Sequence, residues 1–493
     1  MFIMHMSNKG NMDKVKRCIL VSAACFIVAT GYAQDTTARA DGETLNLRQC
    51  VDIAIKNNIL LKTTALAEKT DWVQYQQSIG NILPNASAQV YHQDYNGRSI
   101  NPYTNQPATQ QQLTGSYQVN ANIVLWNGSS LQRYLRANRE AYIAGGFDVQ
   151  QSKDNLTITI ILDYLSVLSA KEQLSAAITQ DSATREQVRV NQAKFEQGAM
   201  LPGDYYNLRG TLSQNEVTVA TAVNTLETAK VTLSKDMNVQ YSSSINLTPF
   251  TDTANLPPYG SSVEEMYAYS LTHLPMIESA NLKERSALNV IKAARGTLYP
   301  TLYLTGGTGT SYSNLAQGET QGSTTQEQTS QYVTVGGTQY NVFTPVTNYS
   351  AYTYKYGYQL TNNINYYVGI QLQIPILNGF SARSRLRNAR INEEQVRFNQ
   401  STAHIQLRQA IVTDYINMTS AYRTYRALQQ QVEDFGQAYT VAKARYDAGV
   451  ITSYDFVLAK NSFDGATLNL IGAKYNYILQ TKILDYYLGK LTL

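Results

Sequence analysis

The stretch RYDAGVITSYDFVLAKNSF, Arg445 to Phe463, lies inside a region from Ile376 to Leu493 that contains no proline, yet a glycine interrupts it at Gly449. A second stretch of the same shape, KFEQGAMLPGDYYNLRGTL, runs from Lys194 to Leu212. Two copies of one pattern direct the reading to internal repetition before local structure. Asn127-Gly128 recurs as Asn378-Gly379, an offset of 379 − 128 = 251. The same offset carries Leu135-Arg136 onto Leu386-Arg387, Asp163-Tyr164 onto Asp414-Tyr415, Phe195 onto Tyr446, Gly198 onto Gly449 and Asp204 onto Asp455. Upstream, Pro84 matches Pro300 at 300 − 84 = 216, and LRQCVDIAIKNN matches VEEMYAYSLTHL at that offset. The second half therefore holds 251 − 216 = 35 extra residues, in a Gly, Ser, Thr, Gln and Tyr-rich stretch around Asn314 to Asn348 whose composition reads as a long exposed loop.

Proline placement marks where long helices can run, because proline breaks helix interiors. Residues 108–201 and 376–493 have none. Within the second region Ile411, Met418, Tyr425, Val432, Tyr439 and Tyr446 recur by sevens, an a/d seam interrupted at Asp414. Ile160, Val167, Leu174, Val188 and Phe195 repeat it more weakly, with the break at Asp163. From Gly128 to Gly198, and from Gly379 to Gly449, 69 residues intervene. At about 1.5 Å per residue, a continuous helix there is roughly 100 Å long, more than a globular domain needs.

The segments before these helices alternate instead. Tyr117, Val119, Ala121, Ile123 and Leu125 alternate with Gln118, Asn120 and Asn122; Tyr366, Val368, Ile370, Leu372 and Ile374 alternate with Gly369, Gln371 and Gln373. Ten or so alternating residues without charge suit a membrane β-strand, and equally a soluble sheet. Asn85 to Gln93 and Thr301 to Thr310 would pair with them as hairpins. Four strands cannot close a barrel alone, and lipid tolerates no open sheet edge, so membrane strands here require several chains.

Composition narrows the function. Charged residues are only 15% of the chain, while Tyr numbers 37. Lys14, Lys16 and Arg17 precede the apolar run Ile19 to Thr30, which closes on Gly31-Tyr32-Ala33, so residues 1–33 read as a secretory signal. A lipoprotein cleaved before Cys25 is the rival reading. Without residues 1–33 the balance is 36 basic against 35 acidic residues, which argues against nucleic acid. Cys50 then stands alone, so no intramolecular disulfide is expected. His92, His273 and His404 have no metal-ligand neighbours at helical spacing, and no glycine-rich phosphate loop follows a strand. No enzyme activity, cofactor or metal is expected.

With the repeat, the hairpins and the proline-free helices in place, the chain resembles the TolC family of outer-membrane efflux channels, most specifically in FEQGAMLPGD and RYDAGVITSYDFVLA. The resemblance implies a mainly α fold with membrane β: a tandem-repeat protomer of long coiled-coil helices plus four strands. Three such protomers form a twelve-stranded barrel continued by a helical barrel in the periplasm. It implies repeats at 34–260 and 261–493. The first holds a hairpin at about 85–126, a long helix at about 129–197, a tip at about 198–204 and a linker at about 238–260. The second holds a hairpin at about 301–376 with its long loop, a helix at about 381–448 and a tip at about 449–455. It implies passive transport to the outside from an inner-membrane pump of RND or ABC type. A periplasmic adaptor would engage the tips, here Gly198, Ala199, Met200, Leu201, Gly449, Val450, Ile451 and Thr452. The family's closed tip maps to a contact between Tyr446 and Asp204 and to an aspartate ring at Asp455. Ile451 and Leu458 stand where the best-known members carry an arginine and a second ring aspartate. Beside these roles stand plainer ones: capping for Asp455, seam packing for Tyr446, and either a tunnel-facing or a register-setting role for Asp163 and Asp414. A secreted structural or adhesive coiled-coil protein without a pore is the contrasting reading.

Overall fold

The computed structural model describes residues 44–100, 105–249 and 256–491, so the expected signal segment and Cys25 lie outside the described residues. Two compact units are distinguished: Leu45–Ser243 with Leu247–Leu493, and a second met in the described residues only at Thr44 and Ser244–Asn246. All that follows concerns the first.

Its helices begin where the chain supplies caps. Helix α1 (Leu47–Asn57) opens on a capping box in which Asn46 and Gln49 satisfy each other's backbone amides. Asn58 caps the next helix, α2 (Ile59–Gly80), by accepting from Leu61. The antiparallel strands β1 (Asn85–Ile100) and β2 (Pro107–Trp126) follow, then the 67-residue helix α3 (Ser130–Glu196) and the 35-residue helix α4 (Pro202–Asp236). Helix α5 (Val263–His273) opens on a second capping box, Ser262 with Glu265, and α6 (Pro275–Gly296) carries proline in its first turn. Then come β3 (Thr301–Ser313), β4 (Gln317–Val335), β5 (Thr338–Thr353), the short helix α7 (Tyr356–Asn362) and β6 (Asn365–Gln373). The 67-residue α8 (Ser381–Asp447) and the 35-residue α9 (Ser453–Tyr487) complete the order. The first residues of α8 and α9 stand 251 positions after those of α3 and α4, and those of α5 and α6 stand 216 after α1 and α2.

Each long helix leaves its strand through the same joint. Gly128 and Ser129 both have φ near +60°, as do Gly379 and Phe380, and Ser130 and Ser381 donate back to Asn127 and Asn378 at 3.2 and 3.1 Å. Positive φ at both central positions, Gly-Ser in one and Gly-Phe in the other, makes each a type I′ turn, with glycine at the first central position. The core of the second half sits where α5, α6, α8 and α9 meet, around Met266, Ile277, Leu407, Ile411, Met418, Tyr425, Tyr477 and Leu484. Each such apolar side chain contributes about 1.5–3 kcal/mol on full burial. The seam of sevens is buried at Ile411, Met418 and Tyr425 and half-buried at Val432, Tyr439 and Tyr446.

Four strands form one antiparallel sheet in the order β1-β2-β3-β6. Two expectations are corrected. The exposed loop around Asn314 to Asn348 is instead a hairpin of its own, β4 paired with β5, closed by Gly336-Gly337 at φ +62° and +88°. As far as Gln331, β4 is polar on both faces, so the apolar alternation that signals a strand is missing there, while Thr, Tyr and Val in β5 favour extended backbone and Gly-Gly a two-residue turn. The strand count of four thus describes one sheet and omits this second one. The strands of the first hairpin are also longer than expected, because β1 continues to Ile100 and β2 starts at Pro107.

Candidate functional site: the paired helix tips

Helices α3 and α8 end in the same turn. Gly198 donates to Phe195 O at 2.9 Å and Ala199 to Lys194 O at 2.8 Å; Gly449 donates to Tyr446 O at 3.0 Å and Val450 to Arg445 O at 2.9 Å. These are the two bonds of a Schellman turn, and both glycines take the positive φ it requires, +69° and +72°. The chain then re-enters a helix within a few residues. At the first tip Pro202 occupies the first turn of α4 behind Leu201. At the second, the Thr452 hydroxyl accepts from the Asp455 amide at 3.3 Å and donates to its carboxylate at 2.9 Å. Asp455 is therefore an exposed first-turn carboxylate held by a cap, favoured by the helix dipole.

Aromatic stacking fixes the approach of each return helix. Phe195 stacks on Tyr205 at 4.6 Å between centroids, and Tyr446 on Phe456 at 4.8 Å. Met200 packs with Phe195, Leu212 and Val457 against Val188, Tyr205 and Leu208, so it serves the tip's own core. Gly198, Ala199, Leu201, Gly449, Val450 and Thr452 are exposed, and Ile451 is half-buried. Leu201 and Val450 expose 72% and 64% of their surface, an apolar surface on each turn.

Polar contacts bridge the two tips. The Tyr446 hydroxyl donates to Asn191 Oδ1 at 3.3 Å, and Asn191 is held by its own amide donating to Gln187 O at 2.9 Å. Asp204 accepts from the Ser453 hydroxyl at 2.6 Å. Tyr446 and Asp204 thus have separate hydrogen-bond partners. They still sense each other: burial raises the Tyr446 hydroxyl above its usual pKa, and the Asp204 charge adds to this. Asn191 and Ser453 escaped the reading of the sequence. The signal for Asn191 was a second seven-residue seam on α3, Ala170, Ala177, Thr184 and Asn191, all buried but small or polar; Ser453 had none.

Farther from the tips, Lys474 of α9 meets Glu172 of α3 at 2.6 Å, and the Tyr487 hydroxyl donates to Asp414 at 2.8 Å. Among the described residues no cluster of three or more His, Cys, Asp or Glu could hold a metal, and no helix is long and apolar enough to cross a membrane.

The sheet has one apolar face. Directly paired residues share a face. The ladder places Ala88, Val119 and Thr308 in one row, and Ile123, Leu304 and Ile370 in another. On the other face lie Gln89, Gln118 and Gly309, and Tyr303 with Gln371. Val90, Tyr366, Val368 and Ile370 expose between 72% and 86% of their surface. The described residues thus combine a four-stranded sheet, with an uncovered apolar face and two unpaired edges, and twin helices about 100 Å long that end in matched turns.

Comparison with known proteins agrees. Residues 267–490 match the family described as outer membrane efflux protein. The chain is 24% identical over 455 residues to outer membrane protein TolC of Escherichia coli (strain K12), covering 90% of this chain and 82% of that protein. It is 20% identical over 390 residues to outer membrane efflux protein BepC of Brucella suis biovar 1, covering 78% and 74%. Among solved structures it resembles CusC, with a TM-score of 0.71 at 16% identity over 90% of this chain and 91% of that one. It also resembles the Campylobacter jejuni CmeC outer membrane channel, with a TM-score of 0.67 at 19% identity over 90% and 86%. The chain is thus similar, over most of its length, to outer-membrane efflux proteins of the TolC type.

Proposed function

We propose that three copies of this chain close a twelve-stranded barrel in the outer membrane, continued by its long helices into the periplasm. In this reading the assembly is a passive exit duct for substrates delivered by an inner-membrane pump of RND or ABC type. Each chain is read as two structural repeats, 34–260 and 261–493. The observation that carries the proposal is the uncovered apolar face running across all four strands to the open edges of β1 and β6. Lipid would cover the face, and in lipid both edges must be paired. Tyr117, bonded to Tyr356 at 2.8 Å, and Trp126, beside Tyr299, stand about 30 Å apart along β2, a separation at which aromatic belts would meet the two interfaces.

Glycines support closure by neighbouring copies. A Cβ on Gly128 would stand 2.6 Å from Gly296 O, so these two glycines allow α3 and α6 to meet closely. Their counterparts by the same offsets, Gly379 and Gly80, face open space. A ring of copies would bring Gly379 of one chain onto Gly80 of the next. Ile391, Phe398, Ile405 and Val412, exposed and spaced by sevens on α8, would then face the exposed Leu60, Leu66 and Val73 of that copy's α2.

The tips are read as the periplasmic end, with Gly198, Ala199, Met200, Leu201, Gly449, Val450, Ile451 and Thr452 as the surface offered to an adaptor. Tyr446 and Asp204 would hold the closed state, and Asp455 would contribute one carboxylate per copy to a ring at the entrance. Conductance of the purified protein in a planar bilayer tests the reading. Channels that are small in the wild type and larger after substitution at the tip support it; absence of any conductance in both would overturn it.

A further inference from the structure

Helices α3 and α4 are joined at Asp163 by a contact whose counterpart in α8 and α9 has different chemistry. Asp414 and Tyr487 stand 251 positions after Asp163 and Asp236. In the second half a neutral donor closes the contact, because the Tyr487 hydroxyl donates to Asp414 Oδ2 at 2.8 Å. In the first half an aspartate occupies the tyrosine's place, and the Asp163 carboxyl meets that of Asp236. Two carboxylates are both acceptors, so neither can satisfy the other while both are ionised. Accordingly Asp163, only 3% exposed, has an Oδ2 with no hydrogen-bond partner. The adjacent Tyr164 hydroxyl is committed to Thr248 O at 2.6 Å.

Few other charges act there. Lys235, on α4 with Asp236, bears on Asp163 from a side chain that is 79% exposed and 3.9 Å from Asp236. Helix α1 brings the Cys50 thiol toward Tyr164, and Asn58 donates to the Asp236 carbonyl at 3.3 Å. Helices α2 and α6 place Asp71 and Lys283 near Asp148, some four turns away along α3, and the Lys474–Glu172 pair of α9 lies beyond Asp163 in the other direction.

We propose that Asp163 and Asp236 form a proton-binding site, in which one proton shared between the two carboxyl groups closes the α3–α4 joint and its release loosens that joint. A proton turns one acceptor into a donor and removes one of two facing charges. Burial first, and then the Asp236 contact, raise Asp163 to about 7, so release falls near neutrality. The matching joint in the second half keeps its Tyr487 donor when Asp414 is ionised, so the sensitivity is stronger at the first of the two equivalent positions.

Infrared difference spectroscopy of the purified full-length protein during pH titration tests the site. The wild type should retain a carboxylic-acid C=O band well above the range of ordinary aspartates, and both Asp163→Asn and Asp236→Asn should lose it. In thermal melts, the gap between Asp236→Asn and wild type should widen from about pH 4 to about pH 7 and be constant above. Absence of the band in the wild type, or its survival in both variants, would overturn the proposal. Should one variant fail to fold, the other, with the wild-type band, still decides.

Discussion

Tyr446 of α8 donates its hydroxyl to Asn191 of α3, so the two long helices are tied to each other within 10 residues of both tip turns. The companion bond from Ser453 to Asp204 ties the two return helices. Asn191 is buried and Asp204 half-buried, so loss of the donor to either leaves a polar group short of a partner. Tyr446→Phe and Ser453→Ala are each expected to weaken a closed tip by about 1 kcal/mol, roughly a fivefold rise in the open fraction. Asp204→Ala should act with Ser453→Ala without adding to it, since both remove one bond. Single-channel recording is the check; conductance unchanged in all three variants would remove the latch.

Gly80→Val concerns assembly alone. The glycine faces open space within one chain, whereas its counterpart Gly296 lies so close to Gly128 that a Cβ would meet its oxygen at 2.9 Å. The variant chain should fold with helical content unchanged and fail to trimerise. Native mass spectrometry in detergent reads this directly, and an intact trimer would show that Gly379 of a neighbouring copy does not sit there.

Removing 317–353 should leave the channel intact. Among the described residues the β4–β5 hairpin pairs only with itself, and Tyr354 already donates to Ala316 O at 3.0 Å, so the cut ends are adjacent. A short glycine link in its place is expected to preserve trimer and conductance. Loss of either would mean that the hairpin contributes to the barrel.

Tyr487→Phe should make the second joint more pH-sensitive. Burial raises the Asp414 pKa, and the Tyr487 bond is what opposes that rise. Without it the carboxyl rises further. A folded-state pKa above the unfolded value means stability that is full below about 4 and is lost as pH climbs through the folded value. The melting temperature of the variant should therefore fall relative to wild type across mildly acidic to neutral pH. A constant difference between the two curves would contradict it.

Much of this fold could be read from particular residues. Proline-free runs and apolar sevens announced long helices, because helix geometry repeats close to every seven residues whatever surrounds it. Tyr117 to Leu125 announced a strand for the analogous reason of period two. The β4–β5 hairpin was hidden because β4 is polar on both faces over most of its length. Asn191 and Thr184 were hidden because a buried polar residue has no periodic apolar signature; its burial depends on what packs against it.

By itself, then, the chain determined local matters: where helices start, where glycine must take a left-handed turn, and which strand face is apolar. Only the tertiary structure decided which polar groups meet. It assigned Tyr446 to Asn191 and Asp204 to Ser453, and it set Asp163 against Asp236 where the other half has a tyrosine. Spacing along a chain repeats with backbone geometry, but a hydrogen bond depends on a few tenths of an ångström between residues that here stand 73 or more positions apart in sequence, and packing sets that distance.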